Sequence, residues 1–171
     1  DLTPERRELS GRSAGSLHVW VMQTGESLPC DGSDERAMRA SSLTYALLEA
    51  GHRVTLVSSD FWHQRKRHRF GRATSIALDQ SGRIVLVPSP GYRSHVGLAR
   101  FYDHWRLGRN LRRAIQGIDR PDIMFIGFPP IEFAAEAVRL ACEWSVPCLL
   151  DVKDQWPDIF SDRLPGPARS I

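Results

Sequence analysis

Two short apolar runs, at 122–128 and 147–152, bracket an amphipathic segment of helix length at 131–144. Runs this short read as strands, and the segment between them reads as a helix. Two strands joined through a helix form a crossover, so the sheet that contains them is parallel. In open parallel sheets the ligand cleft lies beyond the carboxyl ends of the strands. The second run delivers Asp151, Lys153, Asp154, Gln155 and Trp156 to that end. A strand tip with three charges and a Trp-Pro pair is the first place to look for a site.

The rest of the chain repeats the alternation. Apolar and β-branched residues over 16–24 mark a first strand. A loop rich in Gly, Ser, Pro and Asp follows at 25–34, with Asp34 placed to cap a helix. Met38, Leu43, Leu47 and Ala50 recur at helical spacing, and Gly51 stands just past the helix end. A second strand is expected at 53–58. The segment 60–69 is read as a loop of unusual basic and aromatic composition. Two short strands are expected at 74–78 and 83–87, turning at Gln80-Ser81-Gly82, with 88–97 as loop. Leu98, Phe101, Tyr102, Trp105, Leu111 and Ile115 mark the apolar face of a long helix. Its other face carries Arg100, Arg106, Arg109, Arg112 and Arg113 as an exposed basic stripe. Strands alternating with helices predict an α/β fold: a doubly wound, mainly parallel sheet with helices on both faces.

The domain is expected over 16–162, behind a flexible lead at 1–15 and ahead of a Pro- and Gly-rich linker or truncated element at 163–171. A first residue of Asp1 rather than Met suggests a fragment or a processed form. At 171 residues the chain is long enough for one domain with its own core. No apolar run approaches a membrane span, and the start lacks a signal-peptide pattern. A net charge of +3 is too small to imply nucleic acid by itself. Cys30, Cys142 and Cys148 are odd in number and show no Cys-x-x-Cys spacing. That fits reduced cytosolic thiols better than disulfides or zinc.

Four segments are candidates for chemistry. The loop after the first strand has neither the glycine fingerprint of a dinucleotide site nor a phosphate-binding loop. Its Gly25 allows close backbone approach and its Glu26 is placed to accept substrate hydroxyls; a plain surface loop is the competing reading. In the segment 61–69 after the second strand, the basic residues, among them Arg65 and Lys66 beside His63 and His68, suit a clamp for phosphate or pyrophosphate, or an anionic lipid surface. The competing reading is a solvated basic loop. Tyr92 follows Pro90-Gly91. Glu132 either points at a sugar hydroxyl or complements the dipole of the helix it starts. Asp151, Lys153 and Asp154 form the strongest set: a carboxylate beside a cation takes a proton or orients a hydroxyl, and the ammonium neutralises a phosphate. A salt-linked loop is the alternative.

Seven segments in series carry a resemblance: Gly25-Glu26-x-Leu-Pro, Arg36-x-Met-Arg-Ala, Gly51-His52-x-Val-Thr, Ser59-Asp-Phe-x-His-Gln-x-Lys-x-His-Arg, Pro90-Gly-Tyr, Pro129-Pro-x-Glu and Asp151-Val-x-Asp-x-Trp-Pro-Asp. Over about 17–160 the chain resembles the N-terminal, acceptor-side domain of bacterial GT-B glycosyltransferases of family four. The closest subgroup builds O-antigen and capsule repeat units. The resemblance implies two Rossmann-like domains, with a retaining sugar transfer in the cleft between them. It implies a nucleotide-sugar donor held by a C-terminal domain beyond this chain, a lipid-diphosphate-linked glycan acceptor, and no metal or other cofactor. It places Asp154 and Lys153 at the catalytic centre, with Gly25, Glu26, Asp60, His63, Arg65, Lys66, His68, Tyr92, Glu132 and Asp151 on the acceptor side. Many relatives carry His or Arg where this chain has Lys153. The location implied is cytoplasmic, at the inner face of the membrane, with the basic segments toward anionic lipid. Two other readings stay open: a sugar-nucleotide epimerase on the same fold, and a non-catalytic module that docks through its basic face.

Overall fold

The computed structural model describes residues 15–32, 36–94 and 97–153. The expectations for the lead, for Asp34, and for Asp154 and everything after it lie outside these residues. The chain runs β1 (His18–Met22), α1 (Arg39–Glu49), β2 (Arg53–Ser59), β3 (Phe61–Trp62), β4 (Arg67–His68), β5 (Thr74–Ala77), β6 (Gly82–Val87), α2 (Leu98–Ala114), β7 (Ile123–Phe128), α3 (Ile131–Trp144) and β8 (Cys148–Val152), with a short 3-10 turn at Pro29–Asp31.

The six-stranded sheet has the order β5-β6-β2-β1-β7-β8. Every neighbouring pair in it is parallel except β5–β6, which is an antiparallel hairpin at one edge. The crossover expected at 122–152 is present as β7-α3-β8, with Met124 level with Cys148 and Phe128 level with Val152.

Side chains alternate across the sheet, and each face has its own core. Val19, Val21, Val54, Leu56, Ile84 and Leu86 pack with Ala40, Leu43 and Leu47 of α1 on one face. Trp20, Met22, Val57, Val85, Val87, Met124 and Ile126 pack with α2 and α3 on the other. Gly108 brings those two helices close, since a Cβ there would lie 2.8 Å from the Glu132 carbonyl oxygen. With helices on both faces of a mainly parallel sheet, the fold is Rossmann-like. From β1 the chain builds outward through β2 and β6, then returns to the other side of β1 for β7. The strand order therefore reverses between β1 and β7, where such folds open a crevice.

Three local expectations change. Helix α1 starts at Arg39, with Met38 at the N-cap and no side-chain cap bond from it. The first turn is instead served from a distance: the Ala40 N–H donates to Glu26 Oε2 at 2.9 Å. The segment 60–69 is not an open loop. It holds the two-stranded hairpin β3–β4, pairing Phe61 with His68 and Trp62 with Arg67.

The third change concerns α2. Leu98, Phe101, Tyr102 and Trp105, expected in the core, are 86%, 54%, 54% and 45% exposed. The buried stripe is Asp103, Leu107, Leu111 and Ile115, spaced four apart. Only the C-terminal half of the helix packs on the sheet, and its first turns project past the strand ends. The basic stripe is also divided. Arg112 pairs with Glu136 and Glu143 of α3, Arg109 lies over the Trp105 ring, and Arg100 turns toward the crevice. At the far edge, β8 leaves Leu149, Leu150 and Val152 about half exposed.

Candidate functional site

The carboxyl ends of β1, β2, β7 and β8 open into one cavity of about 270 Å³, walled on one side by α2. Gln23, Thr24, Gly25 and Glu26 enter it from the end of β1, and Ser59, Phe61 and His63 from the end of β2. Pro129 and Pro130 follow β7, Lys153 follows β8, and Tyr92, Arg100, Asp103 and His104 complete the wall. An open depression beside it shares Glu26, Met38 and Lys153, with Arg36 and Arg39 at its edge.

Glu26 is the hinge of this arrangement. Its carboxylate is only 5% exposed, and Lys153 Nζ donates to Oε1 while the Ala40 N–H donates to Oε2. One side chain thus joins the β1 loop, the first turn of α1 and the end of β8. Asp151 makes a second tie, accepting two bonds from Arg39 Nη1 at 2.7 and 2.8 Å. Its carboxylate faces α1 and takes no part in lining the cavity.

Beneath the hairpin lies a buried polar framework. Asp60 is fully buried, and its carboxylate accepts from the Phe70 and Gly71 N–H groups at 2.8 and 3.0 Å and meets His68 Nδ1 at 3.0 Å. His68 Nε2 faces the Pro90 carbonyl at 3.2 Å. These two residues tie the hairpin to the 88–92 loop, and the Asp60 carboxylate has no accessible surface with which to meet a ligand. Arg69 is similarly committed. Its guanidinium, 4% exposed, donates twice to Asp31 at 2.5 and 2.6 Å, and also to the Ser59 and Glu26 carbonyls. Arg65, Arg67 and Arg69 all lie over Trp62, 5.0–5.6 Å from its ring centre.

On the α2 side the cavity is aromatic and cationic. The Tyr92 hydroxyl and His63 Nδ1 share a hydrogen bond of 2.5 Å. Lys66 Nζ lies 4.4 Å from the centre of the Tyr92 ring and 3.4 Å from His63 Nδ1. His104 stands edge-on to Tyr92. Burial, reinforced by the charge of Arg100, pushes His104 below the usual histidine value, so it is neutral at pH 7. Burial raises the Tyr92 phenol, with Arg100 opposing and Asp103 adding to it, so the hydroxyl keeps its proton at neutral pH. Asp103 accepts the Gly91 N–H at 2.6 Å. Gln23 is buried, its Nε2 donating to the Thr24 carbonyl at 2.6 Å. Its Oε1 occupies the space where a side chain at residue 127 would start: a Cβ on Gly127 would lie 1.4 Å from it.

The structure therefore brings Gly25, Glu26, His63, Tyr92 and Lys153 to one cavity, with Lys66 directly behind His63 and Tyr92. It places Asp60, His68 and Asp151 in structural ties and Arg65 over the Trp62 ring. Glu132 sits in the first turn of α3 rather than on the cavity wall. Arg100, Asp103 and His104 were missed as site residues. Reading the first half of α2 as core-facing hid them; the polar i, i+3, i+4 spacing of 100, 103 and 104 was the available signal. Among the described residues no group of three or more His, Cys, Asp and Glu is placed to hold a metal ion.

No protein-family model and no curated protein matches the chain. The chemistry of the cavity is read from its own side chains.

Proposed function

We propose that the chain is the acceptor-binding half of a retaining, GT-B-type glycosyltransferase. In this reading it moves a sugar from a nucleotide sugar onto a lipid-diphosphate-linked glycan in surface-polysaccharide synthesis. One observation carries the reading. Of the seven segments that suggested the family, six contribute residues to the single cavity: Gly25 and Glu26, Met38, Ser59 with Phe61 and His63, Tyr92, Pro129 with Pro130, and Lys153. They come from positions as far apart as 25 and 153. The seventh, around Gly51, closes α1 at the opposite end of the strands, with the Gly51 and His52 N–H groups donating to Leu48 and Leu47.

The cavity volume supports a half-site. At about 270 Å³ it lies just under the roughly 300 Å³ where ligand pockets usually begin, as fits one wall of a cleft completed by a second lobe. In this reading the chain's residues bind and orient the acceptor. Buried hydroxyls and amides line the floor, and the Tyr92–His63 pair and Arg100 line the side. The nucleotide sugar belongs to the second lobe. Transfer occurs on the front face of the anomeric carbon: the bond from that carbon to the departing nucleoside diphosphate breaks as the bond to the acceptor oxygen forms. The departing diphosphate takes the acceptor proton.

The exposed side of α2 supports a peripheral contact with the inner, anionic membrane face. Leu98, Phe101, Tyr102 and Trp105 share it with arginines, and aromatic rings beside cations suit the headgroup region. Among the described residues no helix is long and apolar enough to cross a membrane.

Calorimetric titration of the chain with a short prenyl-diphosphate-linked monosaccharide tests the reading. Saturable binding, lost in a folded His63→Ala variant that removes a side chain from the cavity wall, is expected. Heat no larger than that of the ligand's dilution would sink it. An epimerase or a docking module gives no reason for such binding.

A further inference from the structure

In its first half, helix α2 stands between the cavity and solvent. Arg100, Asp103, His104 and Leu107 face inward and line the cavity. Leu98, Phe101, Tyr102 and Trp105 recur at helical spacing on the opposite side, each about half exposed or more. The Tyr102 and Trp105 rings stack at 5.9 Å, and Arg109, one turn on, lies 5.0 Å over the Trp105 ring. Arg113 extends the row by another turn and is exposed. The outward stripe thus runs from apolar and aromatic at the helix start to cationic at its end.

Charge decides what covers this stripe. The only acidic residue of α2 is Asp103, which is buried and turned to the Gly91 N–H. On α3, Glu136 and Glu143 meet Arg112. A second copy of the chain therefore has no carboxylate on this stripe with which to meet Arg109 and Arg113. An anionic bilayer supplies both things the stripe lacks. Tyr and Trp rings settle at the headgroup level, and guanidinium groups pair with lipid phosphates.

We propose that the outward face of the first half of α2 lies on an anionic lipid surface, and that the cavity behind it receives a ligand anchored in that surface. The rings enter the headgroup layer, and Arg109 and Arg113 meet its phosphates. One helix, about 10 Å across, then separates lipid from cavity, so an anchored ligand reaches the site without leaving the bilayer. This inference rests on the glycosyltransferase reading for the ligand alone; the lipid contact follows from α2.

The test is co-sedimentation of the whole chain with two kinds of vesicle: phosphatidylcholine alone, and equal parts of phosphatidylcholine and phosphatidylglycerol. Phe101→Ser with Trp105→Ser removes two exposed rings, and Arg109→Glu with Arg113→Glu reverses two exposed charges. Arg83→Glu, exposed near the opposite end of the strands, is the control. Thermal midpoints near that of the parent verify folding. Each double variant is expected to weaken binding to the anionic vesicles about tenfold or more, and Arg83→Glu to change it less than about twofold. Trp105 emission, taken as the difference between the parent and Trp105→Phe, is expected to be quenched by brominated lipid. A prenyl-diphosphate monosaccharide with a chain long enough to stay in the vesicle is expected to tighten vesicle binding, and His63→Ala to remove that gain.

Absence of binding to anionic vesicles overturns the proposal, as does equal binding to neutral ones. So does weakening by Arg83→Glu as large as by the α2 variants, which indicates diffuse attraction. A dimer that dissociates on loss of the two rings, in place of vesicle binding, assigns the face to a second copy and overturns it too. An anchored sugar that adds nothing, although its short-chain form binds in solution, overturns the route from lipid to cavity. If vesicles bind through α2 and the short-chain sugar does not bind, the lipid face stands and the acceptor reading falls. If that sugar binds and the vesicles do not, the lipid face falls and the acceptor reading stands.

Discussion

Replacing Glu26 by Gln, Lys153 by Met, and both together measures how far the end of β8 depends on the β1 loop. The Glu26 and Lys153 side chains are 5% and 19% exposed, so neither charge is well hydrated once its partner is gone. Breaking a fully buried pair costs about 3–5 kcal/mol. The residual exposure of Lys153 lowers that to about 2–3 kcal/mol for Glu26→Gln. The glutamine still offers an oxygen to the Ala40 N–H, so the capping contribution of about 1 kcal/mol is kept. Glu26→Ala loses both contributions. The double variant leaves no orphaned charge and is expected to lie within about 1 kcal/mol of the parent. Lys153→Met leaves the more deeply buried Glu26 charge unpaired and is expected to cost about 3 kcal/mol. The coupling energy, the two single losses together less the double, is then about 4 kcal/mol, read from urea midpoints at constant slope. A coupling under about 0.5 kcal/mol would refute the claim that this pair fastens the two strands together.

Three further outcomes follow from the packing and from one buried histidine. Burial, with the Arg53 charge next, pushes His18 down to about 4 from its ordinary 6.5. Below pH 6.5 the unfolded chain takes up a proton that folded His18 refuses until about pH 4. Stability is therefore full above 6.5 and falls by about 3 kcal/mol through that window. His18→Gln removes this part of the acid sensitivity, and equal losses by parent and variant between pH 7 and 4.5 would count against the assignment. Gly127→Ala drives a methyl into Gln23 Oε1 and is expected to cost about 2–3 kcal/mol in chemical denaturation. Gly108→Ala gains about 1 kcal/mol of helix propensity, yet meets the Glu132 backbone, which has no rotamer to move. A net loss of about 1 kcal/mol is expected, and a net gain would show that α2 and α3 slide apart freely.

The strand–helix alternation was legible because apolar periodicity is local. The run 122–152 alone fixes β7, α3 and β8 to within a residue or two. Gly51 likewise announced the end of α1 through a turn only a left-handed residue completes. The failures share a cause. In α2, periodicity tells which residues lie on one face but not what that face meets. Past the strand ends there is no sheet beneath it, so Phe101, Tyr102 and Trp105 face outward. The start of α1 was misread because its acceptor, Glu26, lies 14 residues earlier. Asp60 and Asp151 look like site residues in a string of letters. Which carboxylate meets a ligand and which meets a backbone N–H or an arginine is settled by contacts across 10 to 112 residues.

The two borders of the sheet have unequal consequences for handling the protein. At one, β5 ends the sheet as a strand of four residues, two of them the hydroxyl residues Thr74 and Ser75. At the other, β8 presents Leu149, Leu150 and Val152 along a row of backbone groups that any extended segment can join. A shortened version ending at Lys153 would carry that sticky margin bare and tend to zip together with its own copies. Solubility of such truncations, rather than their folding, is where the design of shorter versions will meet its limit.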